Sequence, residues 1–135
     1  MSTRIIKINR GDSFELITSI PGSTDQAEND KYILAKDDVF YFAICYPNQP
    51  FEEAVLLKGC TRDSIDEVTR KLDQDKEGNI TIKLTPKDTR PLSPGVYYYT
   101  AKLYRGCQPG LLGDPENEPM EVRTIIERTK FIINE

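Results

Sequence analysis

The sequence predicts an all-β fold, a two-sheet antiparallel β-sandwich of about seven or eight strands. Several short segments alternate between apolar and polar residues with a period of two, as strands with one buried face do. Turn-forming Gly, Pro, Asn and Asp residues separate these segments. The chain of 135 residues has no internal repeat, so we expect a single domain over residues 1–135.

Several strands are expected in the N-terminal half of the chain. Residues 39–46 are apolar on both faces, which predicts a strand at the centre of a sheet. Residues 14–20 alternate, which predicts a strand with one exposed face. The predicted strands lie at residues 5–9, 14–20, 32–35, 39–46 and 54–59, with a turn at 10–13 and a polar loop at 21–31.

The centre of the chain predicts two strands joined by a short helical turn. Residues 80–84 alternate between apolar and polar side chains, and residues 97–103 alternate in the same way. Between them, Thr85 and Pro86 are typical of a helix N-cap followed by proline, whose missing N–H costs nothing at that position. We therefore expect one helical turn at residues 86–90 and a central strand after it, antiparallel to the strand before it.

The remaining segments comprise one ambiguous stretch, a long loop and the last strands. Residues 63–72 fit a short helix, because Ser64 and Glu67 match a capping box, and they fit a polar edge strand equally well. Residues 105–120 are rich in Gly, Pro, Asp and Glu, which predicts a long loop. The last two strands are expected at residues 122–127 and 130–133.

A tyrosine corner is expected where the helical turn meets the central strand. In immunoglobulin-like sandwiches, a tyrosine near the start of strand F bonds back to the backbone of the turn that follows strand E. Tyr97 is the candidate, with its hydroxyl bonded near Asp88 or Leu92, and Thr85 begins the turn. Asp88 precedes Tyr97 by more positions than the antibody pattern has. The motif resembles that corner, so we expect the sandwich to be immunoglobulin-like.

Three segments resemble the small immunoglobulin-like domains of phage virion proteins. They are IIKINRGDSFELITSI at residues 5–20, DVFYF at 38–42 and LTPKDTRPLSPGVYYY at 84–99. The chain also resembles the N-terminal domain of phage baseplate upper proteins. The resemblance implies a non-enzymatic structural or interaction module of a phage or prophage virion, in the tail, the baseplate or at the capsid. It implies other virion proteins or copies of the chain as partners, and synthesis in the bacterial host cytoplasm.

Composition and charge argue against several other classes of protein. Hydrophobic residues make up 38% and charged residues 30%, and no apolar run reaches the roughly 18 residues of a membrane span. The net charge of −4 and the absence of a dense basic segment argue against a nucleic-acid partner. The N-terminal residues lack the apolar stretch of a signal peptide, so we expect none.

The sequence predicts no enzyme, no cofactor and no metal site. Histidine is absent, which removes the commonest general base and metal ligand, and neither a nucleophile elbow nor a P-loop is present. Residues 73–78 match the first half of an EF-hand loop, but Leu84 replaces the glutamate of its last position. The three cysteines, which lack Cys-x-x-Cys spacing, are expected to be free thiols; they are Cys45, Cys60 and Cys107.

The alternative function is a carbohydrate-binding or host-surface adhesion module. Tyrosines can stack on sugars, but alternation turns Tyr97 and Tyr99 inward and leaves Tyr98 as the outward ring of the triplet. The tripeptide at residues 10–12, Arg-Gly-Asp, is one that integrins bind. A glycine turn between two strands accounts for it equally well.

The long loop at residues 105–120 is the predicted partner surface. It exceeds the usual hairpin loop by a wide margin, and long loops in compact domains tend to be functional or disordered. Gln108 begins a turn-rich segment that contains Leu111 and Leu112. These two leucines are expected either to be buried against another subunit or to fold back over the end of their own core.

Overall fold

The structure, a computed structural model, describes residues 4–20, 32–34, 38–61, 78–106 and 121–135. These residues form seven strands, a 3-10 turn at Phe51–Glu53 and a one-turn helix, α1, at Pro86–Thr89. The strands are β1 (Ile6–Asn9), β2 (Phe14–Ser19), β3 (Asp38–Cys45), β4 (Leu56–Thr61), β5 (Asn79–Leu84), β6 (Gly95–Arg105) and β7 (Glu121–Asn134).

The strands form two packed sheets, which confirms the predicted all-β sandwich. The larger sheet has the order β1-β7-β6-β3-β4, and the smaller sheet pairs β2 with β5. One pairing departs from the expected antiparallel pattern, because β1 runs parallel to β7. The turn after β1 carries the chain to the other sheet, so β1 finds its partner in the last strand and not in β2.

The core lies between the two sheets, and β3 is buried on both of its faces. Its inward side chains join the main core, to which both sheets contribute. Its outward side chains pack beneath Phe51 and Tyr104 in a second apolar cluster. This double burial explains why residues 39–46 are apolar throughout instead of alternating. The buried Cys45 belongs to the second cluster and is not in a disulfide, as predicted.

Three predictions about strands were wrong. Residues 32–34 are not in a strand; the Tyr32 amide instead donates to the Ile20 carbonyl oxygen at 2.8 Å. The strand expected at 54–59 begins two residues later, because the 3-10 turn precedes it. The strands expected at 122–127 and 130–133 are one strand, since Thr129 continues the pairing with β6 after a register shift. The segments at 21–31, 63–72 and 73–77 lie outside the described residues.

Candidate functional site

The predicted corner tyrosine is buried at the start of β6. Tyr97 is 2% exposed, and its hydroxyl donates to the carbonyl oxygen of Ser93 at 2.7 Å. The acceptor therefore follows Leu92 directly, and Asp88 is not the partner of this hydroxyl. Ser93 and Tyr97 are 4 positions apart, so the spacing between the tyrosine and its acceptor is shorter than the spacing between Asp88 and Tyr97. Burial and the neighbouring Tyr46 hydroxyl raise the pKa of Tyr97.

Asp88 and Thr85 lie at the start of the helical turn that precedes this corner. The Asp88 carboxylate accepts the Thr85 backbone N–H at 2.8 Å and the Thr85 hydroxyl at 3.1 Å, which caps α1. The Lys58 ammonium reaches the same carboxylate at 2.8 Å, and both side chains of this pair are largely buried. Burial alone would raise the pKa of Asp88, but the hydrogen bonds from Lys58 and Thr85 lower it. This site is structural, since its polar groups satisfy one another.

Sequence reasoning missed Lys58. Alternation along β4 places Lys58 on the inward side, because it is the register partner of Phe42. A lysine at an inward position of a predicted strand could have indicated a buried ion pair. Its partner Asp88 lies on another element and 30 positions away, so the pair could be recognised only in the fold.

The predicted partner residues Gln108, Leu111 and Leu112 lie outside the described residues. The strand ends next to them are tied by a charged network. Arg105 of β6 donates to the Glu121 carboxylate of β7 at 3.1 Å and lies 3.5 Å from the Asp38 carboxylate of β3. These contacts hold three strand ends together.

Tyr32 completes the network. Its hydroxyl donates to Asp38, and the Arg105 guanidinium lies over its ring, 5.4 Å from the centroid. Burial and the adjacent Asp38 raise the pKa of Tyr32, because both disfavour the phenolate. The network therefore keeps its charges paired within the chain.

Arg128 of β7 fixes the turn that follows β3. Its guanidinium donates to the carbonyl oxygens of Tyr46 and Pro47 at 3.1 and 2.7 Å, with a longer contact to that of Gln49. The same guanidinium lies over the ring of Tyr98, 4.9 Å from its centroid. A single side chain thus joins β6, β7 and the turn.

The tyrosines do not form a sugar-stacking platform among the described residues. Tyr97 and Tyr99 belong to the main core, and Tyr104 is buried in the second cluster. The outward ring of Tyr98 is covered by Arg128. Tyr46, which is partly exposed, stacks on the inward ring of Tyr97 and therefore lies away from Tyr98.

The Arg-Gly-Asp tripeptide forms the turn between β1 and β2. Gly11 has a φ of 86°, a left-handed conformation that favours glycine. The Asp12 amide donates to the Asn9 carbonyl oxygen, and the Asp12 carbonyl oxygen accepts the Thr89 hydroxyl. Arg10 donates through Nε to a backbone carbonyl oxygen just after α1. These groups attach the turn to the helix, which is a structural role.

An exposed apolar group flanked by lysines lies on the outer side of the larger sheet. Lys7, Ile132 and Val96 are register partners across β1, β7 and β6, and Lys130 is the partner of Tyr98 one row away. We call this surface the β1–β7 face; it comprises Ile5, Lys7, Val96, Tyr98, Lys130 and Ile132. The sequence did not predict it, because it depends on the parallel pairing of β1 with β7.

No protein-family model matches this chain, and no curated protein matches it significantly. Over the part of the chain that the structure describes, no group of three or more His, Cys, Asp or Glu side chains is placed to hold a metal ion. No helix in the described ranges is long and apolar enough to cross a membrane.

Proposed function

We propose that this chain is a non-enzymatic, immunoglobulin-like module of a phage or prophage virion that acts through protein–protein contacts. Its place is the tail, the baseplate or the capsid surface, and its partners are other virion proteins or copies of itself. Synthesis takes place in the bacterial host cytoplasm. The resemblance of residues 5–20, 38–42 and 84–99 to phage virion domains supports the virion part of the proposal.

The β1–β7 face supports the contact part of the proposal. Ile5 and Val96 are 54% and 45% exposed although they lie on or beside paired strands. Aliphatic groups held at fixed positions on a sheet can be covered by a partner with little loss of side-chain freedom. The polar groups at the corner and at the strand ends bond to one another instead, which favours structural roles for them.

Particle composition tests the proposal. The tagged chain is expressed in a producing strain, and the released particles are purified on a density gradient. We expect the chain to sediment with the particles at a constant ratio to the capsid protein and to be labelled by antibody in electron micrographs. An unrelated cytoplasmic protein with the same tag is the control for trapping. Recovery of the chain only at the top of the gradient, as for that control, contradicts the proposal.

A further inference from the structure

We propose that the β1–β7 face binds an acidic protein surface with an apolar centre. This proposal rests on the proposed function, according to which the chain binds other proteins. The face is made of side chains on three paired strands, so its groups are held in register before any partner arrives. Such preorganisation reduces the ordering cost of association.

A cross-strand pair forms the apolar centre. Val96 and Ile132 are register partners on β6 and β7, and Cβ atoms in such pairs lie about 5 Å apart. Ile5, which directly precedes β1, is exposed one row away, where the β1–β7 register extends to Lys130. Covering these side chains removes apolar surface from water, which favours a protein occupant over a hydrated ion.

The charges around this centre are positive. Lys7 and Lys130 are exposed, and neither forms an ion pair within the described ranges. None of the side chains that define the β1–β7 face carries a carboxylate, and neither do those of Asn9, Arg128 and Asn134 beside it. The whole chain has a net charge of −4, so the sign of the face is opposite to that of the protein. Carboxylates on a partner complement it.

The outer side of the smaller sheet provides a comparison within the chain. Ile17 is 63% exposed there, more than Val96, yet Glu15 and Lys83 are register partners next to it and their charges balance. Exposure of one isoleucine therefore does not distinguish the two surfaces, whereas unbalanced charge does. A contact between two β1–β7 faces would bring like charges together, which disfavours a second copy of the same face as the occupant.

A titration followed by nuclear magnetic resonance tests the proposal. The probe is a short blocked peptide in which leucines are flanked by glutamates, added to the isotopically labelled chain. We expect amide shifts at residues 5–7, 96–98 and 130–132. We expect affinity to fall roughly tenfold in the double variant Lys7→Glu/Lys130→Glu, because each reversal replaces an attraction by a repulsion. Salt at about 1 M, where the screening length is about 3 Å, should abolish most of the binding.

Matched probes and variants control for non-specific binding. A peptide with lysines in place of the glutamates, and one with serines in place of the leucines, should each bind more weakly than the probe. The variant Val96→Ser should weaken binding, whereas Ile17→Ser and Lys83→Glu should leave it unchanged. All variants change exposed residues, so melting temperatures near that of the wild type are expected. Shifts elsewhere on the surface, binding that ignores the sign of the charge, or no binding at all overturns the proposal.

The particle assay separates this proposal from the proposed function. If the wild-type chain never sediments with particles, the virion role fails while the peptide result stands. If the wild-type chain joins particles and Lys7→Glu/Lys130→Glu joins them equally well, the β1–β7 face is not the contact and this proposal fails. Loss of incorporation in that variant, with retention in Lys83→Glu, supports both.

Discussion

The hydroxyl of Tyr97 donates a hydrogen bond to the carbonyl oxygen of Ser93, which closes the turn between α1 and β6. The ring of Tyr97 also stacks on Tyr46, with centroids 5.2 Å apart, beyond the end of β3. The side chain thus links the corner of the sandwich to the neighbouring strand end. A phenylalanine would keep the ring contact and lose the bond.

We expect Tyr97→Phe to lower the free energy of unfolding by roughly 1 to 3 kcal/mol, since the Ser93 carbonyl oxygen loses its partner. Urea denaturation measures the change. Tyr98→Phe is the matched control, because it keeps the ring beneath Arg128 and should stay close to the wild type. An unchanged midpoint for Tyr97→Phe would show that this bond does not stabilise the corner.

The low pKa of Asp88 predicts a loss of stability in acid. Burial opposes the charge, but hydrogen bonds from Lys58 and Thr85 hold the pKa below its ordinary value of 3.8. A carboxyl group with a lowered folded-state pKa adds stability above its unfolded pKa and loses it as pH falls through the folded pKa. The unfolding free energy should therefore drop below about pH 4, and less steeply in Asp88→Asn. The unfolding free energy of the wild type and of Asp88→Asn is measured by urea titration at each pH. An equally steep decrease in both proteins would contradict this assignment.

Removing Lys58 should destabilise the chain strongly. Lys58→Met leaves the Asp88 charge buried without its ammonium partner while the Thr85 donors remain, and breaking a buried ion pair costs roughly 3 to 5 kcal/mol. We expect the lower end of this range, because two hydrogen bonds remain. A double-mutant cycle with Asp88→Asn measures the coupling, and additive losses would mean that the two side chains do not interact.

Arg128→Lys should loosen the turn after β3. A lysine ammonium cannot serve the carbonyl oxygens of Tyr46 and Pro47 while also stacking flat on Tyr98. We expect faster hydrogen exchange at the Gln49 amide, which bonds within this turn, and a loss of about 1 kcal/mol. Lys130→Arg on the same strand is the control. Unchanged exchange at Gln49 would contradict the clamping role.

Calcium should not stabilise the chain. Residues 73–77 lie outside the described residues, but the position of the final EF-hand ligand is occupied by Leu84, which is buried in the core. Thermal melts with calcium and with chelator should coincide. A clear upward shift at micromolar calcium that Asp75→Ala removes would establish a site after all.

The local sequence pattern predicted the two central strands and the helical turn between them, but not that β5 and β6 lie in different sheets and do not pair with each other. The buried residues alternate strictly in β5, and in β6 every second residue from Tyr97 to Leu103 is buried, although Thr100 and Tyr104 are buried as well. The Thr85-Pro86 pair began a single helical turn as expected. These features depend on residues that are close in sequence. The prediction of a break within β7 was wrong. The polar residue Arg128 interrupts the apolar pattern of the sequence, but the strand continues through it, and its side chain bonds to a distant turn.

Long-range partners could not be predicted. The parallel pairing of β1 with β7, the ion pair of Lys58 with Asp88 and the network around Arg105 each join residues from different elements. Alternation shows which side of a strand a residue occupies, but it does not show which strand lies next to it. The acceptor of the Tyr97 bond, expected near Asp88 or Leu92, is the carbonyl oxygen of Ser93, which directly follows Leu92.

The parallel pairing of β1 with β7 determines how the sandwich would respond to mechanical tension. In this parallel ladder, β1 begins at one end and β7 finishes at the other. Pulling Ile5 away from Glu135 would therefore draw the two strands past each other along their length. The ladder would then be loaded in shear, so that its hydrogen bonds share the force and must break together. An antiparallel hairpin pulled from its two adjacent ends would instead unzip one bond at a time.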